Sequence, residues 1–153
     1  MSSAAGSIDN LTLTVTYEIE VEAPLDVAFA ALLKQIGPEN IKPDGVPMPM
    51  KIEPWPGGRW YRDLGEDNGH LWAHVQAIRR PTLLEFTGPL FMSTAVVSDV
   101  QYRLSEIPKG TLIKFRHTAF GLMGDDQRRG VKEGWTHMLA CTRDRAEHRP
   151  LKK

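Results

Sequence analysis

A chain of 153 residues with 19 Lys plus Arg, 19 Asp plus Glu and zero formal net charge is long enough for one domain burying about 70% of its unfolded surface. It carries no uniformly basic field of the kind that holds nucleic acid or anionic lipid. Its apolar runs fall well short of the roughly 20 residues that cross a bilayer, and the opening segment lacks the order of a leader, so a cytoplasmic protein is expected.

Residues 1–9 are small and polar and are expected to form a disordered tail before a single domain at 10–149. From Leu11 to Val21 apolar and polar residues alternate strictly, with Leu11, Leu13, Val15, Tyr17, Ile19 and Val21 on one side. This predicts one long half-buried strand of about 35 Å. Pro24 then opens a helix whose stripe is Leu25, Phe29, Leu32, Leu33 and Ile36, closed by Gly37-Pro38. Six prolines between 38 and 56 block a regular helix there and leave a connecting loop with at most a short edge strand.

Five strand-like segments follow at about 59–64, 70–79, 83–87, 94–105 and 111–120, separated by turn residues. Their short connections imply antiparallel neighbours. In the segment 70–79 both faces are apolar enough to leave the register open. Asp125 and Asp126 offer capping oxygens to a final helix reaching about Ala146, with the stripe Val131, Trp135, Met138, Leu139 and Thr142. A short basic tail, 150–153, closes the chain.

This order resembles the SRPBCC superfamily, the START or birch-pollen-allergen type of helix-grip fold. Within it the chain is most similar to the family named for the carboxyl-terminal domain of the heat-shock chaperone ATPase activator. The carriers are Ala23-Pro24 with Val27 and Phe29, Trp55-Pro-Gly-Gly58 with Trp60, and Val75 to Thr87. Val100 to Leu104, Thr111 to His117 with Phe120, and Gly134-Trp135 with Leu139 complete them. The resemblance implies an α+β fold: a curved antiparallel sheet of six or seven strands wrapped around the last helix, one or two short helices after the first strand, and a cavity between. Where relatives often carry a His three residues before the Gly-Trp pair, this chain has Val131. The Pro-rich segment also departs from the family pattern.

Alternation puts Val96, Ser98, Val100, Tyr102 and Leu104 on one face of their strand and Ile113, Phe115, His117 and Ala119 on one face of the next. His117 and Tyr102, with His74 as an uncertain third member, are the catalytic candidates, because an imidazole beside a phenol in an apolar cavity can move protons. The competing reading is a hydrogen-bonded core histidine and a packed tyrosine. Tyr17, Trp60, Trp72, His74, Phe86 and Val100 are expected ligand-binding residues, as are Tyr102, Phe115, His117, Trp135, Met138 and Leu139. No cofactor is expected, and His70, His74, His117 and His137 show no metal-ligand spacing. The lone Cys141 excludes an internal disulfide and reads as a packing residue.

Gly130 and Gly134 lie four apart on the last helix, so either the helix starts late, or the sheet packs closely there, or a gap for a ligand opens beside them. Phe91-Met92 in a turn supplies a flexible lip, a homodimer contact or ordinary packing. Three functions follow: a carrier or sensor of a small apolar or amphipathic molecule, a cyclase-like or hydrolase-like enzyme, and, as the family name suggests, a module that contacts a heat-shock chaperone.

Overall fold

The structure is a computed structural model and describes residues 8–149. The expected tails lie outside the described residues except for Ile8 and Asp9, which belong to a 3-10 turn, Ile8–Leu11, leading into the first strand. The order is then β1 (Thr12–Val21), α1 (Leu25–Ile36), β2 (Lys51–Ile52), β3 (Arg59–Gly65), β4 (Asn68–Arg79), β5 (Leu83–Gly88), β6 (Val96–Ile107), β7 (Gly110–Gly121) and α2 (Asp125–Ala146). All seven strands form one antiparallel sheet in the order β1-β7-β6-β5-β4-β3-β2. This is the α+β helix-grip arrangement, with α2 against the inner face and a single short helix after β1.

The period-two pattern of β1 is realised: Leu13, Val15 and Val21 are buried while Thr14, Thr16, Glu18 and Glu20 face solvent. Its partner β7 buries Ile113, Phe115, His117 and Ala119, and β6 buries Ser98, Val100, Tyr102 and Leu104. These rows meet in register, Val100 opposite His117, Tyr102 opposite Phe115 and Leu104 opposite Ile113. A continuous inner face results, and α2 covers it with Val131, Trp135, Leu139 and Thr142.

The undecided register of β4 has a physical origin. Trp60 pairs with Ala73 but Tyr61 with Leu71, so Trp72 is an extra residue opposite no partner. A β-bulge of this kind lets two successive side chains turn to the same side. Trp72 and Ala73 are accordingly both buried, while Leu71 and His74 are exposed. A second bulge at Gln76, between the pairs Val75–Phe86 and Ala77–Glu85, shifts the strand again.

The helix ends depart from the sequence expectation. Asp125 and Asp126 occupy the first turn of α2, where their charge suits the helix dipole, but neither caps it. The N-cap is Gly124, whose N–H donates to Gln127 Oε1 at 3.1 Å. At the other helix, the indole N–H of Trp60 donates to the Ile36 carbonyl at 2.7 Å. A last-turn carbonyl of α1 thereby gains a buried partner.

The amino-terminal half of α2 is also tied to the sheet edge. Arg128 donates to the carbonyls of Thr12 and Asn10 at 2.9 and 3.0 Å, and the Tyr17 hydroxyl donates to the Lys132 carbonyl at 3.3 Å. Toward its other end, Arg145 holds α1 through Gln35 Oε1 at 2.9 Å and the turn after it through Glu39 Oε1 at 2.8 Å.

Candidate functional site

The inner face of the sheet at its centre is occupied by side chains of the protein itself. Trp60 stacks on Phe86 with ring centroids 4.7 Å apart and meets Trp72 edge-on at 5.1 Å. Trp135 of α2 lies 4.6 Å from Phe115, which lies 5.0 Å from Tyr102. Trp60, Phe86, Val100, Tyr102, Phe115, His117, Trp135 and Leu139 are all buried. These eight expected binding residues therefore form the core between sheet and helix.

His117 is held on both ring nitrogens. The Trp135 indole N–H reaches Nδ1 at 2.9 Å, and Ser98 Oγ lies 2.9 Å from Nε2. An indole nitrogen only donates, so Nδ1 is the acceptor and the proton of the neutral ring sits on Nε2, directed at Ser98. Burial pushes the imidazole down to about 4 from 6.5, with the Asp99 carboxylate opposing the shift. In this tautomer His117 cannot take the Ser98 proton. Tyr102 is buried, and desolvation pushes its phenol well above the usual range. Both side chains are packed in the core, and His117 is hydrogen-bonded on both ring nitrogens.

His74 is corrected outright. Because of the bulge at Trp72 it lies on the outer face of β4, exposed and paired with Arg59 and Thr87. His70 is exposed as well, and His137 lies on α2, so the four histidines considered for a metal do not converge. Tyr17 is half-buried, stacked on Phe115 at 6.5 Å.

The open space lies to one side of this core. An apolar groove of about 310 Å³ runs between the flank of α2, the loop around residues 40–48 and the wall formed by Trp72 and Phe91. From α2 it takes Gly130, Glu133, Gly134, His137 and Met138, a stripe at helical spacing next to the core stripe. A Cβ built on Gly130 or Gly134 would meet nothing within 4 Å. The close-packing explanation of these glycines is thus overturned, and they border a gap.

Of the expected binding residues, Trp72 and Met138 line the groove. Phe91-Met92 divides its roles: Met92 is buried, while Phe91 is 38% exposed and packs on Trp72 at 5.4 Å and Trp135 at 6.1 Å. Asn40, Ile41, Met48, Glu133 and His137 were not identified from sequence. The α2 residues among them had a readable signal in the second stripe beside Gly130 and Gly134. The loop residues had none, since the Ile41–Pro47 bridge that shapes their loop follows no regular period.

His137 and Cys141 stand one turn apart on this flank, with Sγ 3.8 Å from Nδ1. Burial, followed by the Asp144 carboxylate, pushes the Cys141 thiol up. It is thereby unsuited to act as a thiolate nucleophile. A larger concavity of about 600 Å³ at the start of α1 and the β6–β7 turn is open and contains Glu22, Asp26 and Glu106. It gathers neither aromatic walls nor any of the expected residues.

Comparison with known structures supports the architecture. The chain is similar to protein MLL2253 from Mesorhizobium loti, with 22% identity, a TM-score of 0.63 and coverage of 91% of this chain and 100% of that one. It is similar to Ara h 8.0201 at 16% identity and a TM-score of 0.67, covering 90% of this chain and 99% of the other. It also matches the di-domain ARO/CYC StfQ from the steffimycin biosynthetic pathway at 12% identity and a TM-score of 0.65, covering 92% of this chain and 52% of StfQ. At these identities the likeness is one of fold. No functionally curated protein matches the sequence significantly. Among the described residues no helix is long and apolar enough to cross a membrane. The model of the family described as Activator of Hsp90 ATPase homolog 1-like protein matches residues 22–141, and the chain belongs to that family.

Proposed function

We propose that this protein binds a small, flat apolar or amphipathic molecule, as a carrier or sensor, in the groove beside α2. The observation that carries this reading is the pair Gly130 and Gly134: two glycines inside a helix cost about 1 kcal/mol each relative to Ala. Their missing side chains open onto an apolar groove of about 310 Å³. That volume is at the lower end of the range for small-molecule sites, and its aromatic and Met lining is of the kind such sites use.

The enzymatic alternative rests on His117 and Tyr102, and the Trp135 N–H at His117 Nδ1 speaks against it. Native mass spectrometry of protein purified gently from its own cells tests the binding role. The expected result is an added small-molecule mass that is lost in a Gly134→Leu variant. A ligand-free spectrum, together with no binding of a bicyclic aromatic probe, would overturn it.

A further inference from the structure

Resting on that binding role, we infer that the groove selects a ligand whose apolar body carries a hydrogen-bond donor, best an ammonium, and discriminates against carboxylates. The polar atoms around the groove that are left without a partner are acceptors. Asn40 lines the groove and is 3% exposed; its Nδ2 donates to the Met48 carbonyl at 3.1 Å, which fixes the amide orientation. Its Oδ1 is buried and accepts no hydrogen bond. Orphaned buried acceptors are uncommon, and each costs about 1–3 kcal/mol, so this one marks the place of a missing donor.

His137 offers the groove no free donor. Its Nε2 lies 3.0 Å from the Ile41 carbonyl, which can only accept, and its Nδ1 has the Cys141 thiol at 3.8 Å. Glu133 adds a carboxylate on the rim that enters no ion pair among the described residues. The one lysine of the lining, Lys42, has Asp44 at 3.7 Å. An anionic head would meet lone pairs and a carboxylate, whereas an ammonium or hydroxyl finds partners. The zero net charge of the whole chain adds no general preference for either sign.

The test uses four probes with one body: 1-methylnaphthalene, 1-naphthalenemethanol, 1-naphthylmethylamine and 1-naphthoate, each titrated against the full chain with tryptophan fluorescence as readout. The amine should bind about ten-fold tighter than the carboxylate, the scale of one hydrogen bond involving a charged group. Asn40→Leu and Glu133→Gln should each shrink that ratio and leave 1-methylnaphthalene unchanged. Glu133 is exposed, so its variant keeps the test decisive if the buried Asn40 variant fails to fold. Equal binding of amine and carboxylate, or a ratio unmoved by Glu133→Gln, would overturn the selectivity while the binding role stands. Failure of all four probes to bind would overturn both.

Discussion

The indole of Trp135 donates to Nδ1 of His117 across 2.9 Å, joining the covering helix to the centre of the sheet through a buried hydrogen bond. This bond fixes the histidine as its Nε2–H tautomer. In ¹⁵N-labelled protein the His117 ring should show a protonated Nε2 and an unprotonated Nδ1 at neutral pH. The reverse pattern would remove the argument against a Ser98-directed base.

The same burial predicts a pH dependence. His117 titrates near 4 in the folded chain against 6.5 when exposed. Between those values the unfolded state binds the extra proton, so stability falls as pH drops through the window, by up to about 1.4 kcal/mol per pH unit, and levels off below it. Urea midpoints measured from pH 7 to pH 4 should show this slope in the native protein and lose it in His117→Gln. The Glu53 carboxylate, held down to about 2 by its hydrogen bonds with Arg59, loses its contribution as pH falls from 4.5 toward 2, a range that begins at the lower end of the His117 window.

Replacing Trp135 separates its two contributions. Trp135→Ala should cost about 3–5 kcal/mol through the lost aromatic volume. Trp135→Phe keeps much of the packing and leaves His117 Nδ1 without its donor, for a cost of about 1–3 kcal/mol. Denaturant unfolding of both variants checks the order. Equal losses would mean that the hydrogen bond contributes nothing beyond the ring.

Gly130→Ala and Gly134→Ala should each raise stability by up to about 1 kcal/mol, because Ala favours the helix and its methyl meets open space. The same methyl narrows the groove. Thermal midpoints should rise while affinity for a naphthalene probe falls, and a gain in both would sink the assignment of this flank as a ligand wall.

Trp60→Phe tests the join between sheet and first helix. The stack on Phe86 at 4.7 Å can survive, but the donor to the Ile36 carbonyl is lost. A destabilisation of about 1–3 kcal/mol is expected. Amide exchange in the last turn of α1 should quicken more than in β7.

The architecture was legible wherever one period ran uninterrupted. Leu11 to Val21 announced β1, and Val131, Trp135, Leu139 and Thr142 announced the covering stripe of α2. Ser98 and His117 were placed on inward faces by alternation alone. Legibility failed where the period breaks: a single unpaired residue at Trp72 sent His74 outward, and no count of alternating residues could foresee it. The site was harder still. Aromatic residues able to line a cavity are the same residues that fill one, and Trp60, Phe86 and Tyr102 do the latter. The groove instead depends on Asn40 and Met48, brought to α2 by a proline-rich loop whose path is set by long-range bonds.

The bulge at Trp72 has a further consequence. Without the bulge, Trp72 and His74 would share one face of β4, and with Ala73 kept inward Trp72 would turn outward, at the very point where the indole now borders the groove and receives Phe91. The aromatic wall is therefore an effect of strand parity. A one-residue deletion at Leu71 should set Trp72 opposite Tyr61, leave a sheet of seven strands and erase the pocket, whereas substituting any outward residue of the same strand should leave it in place.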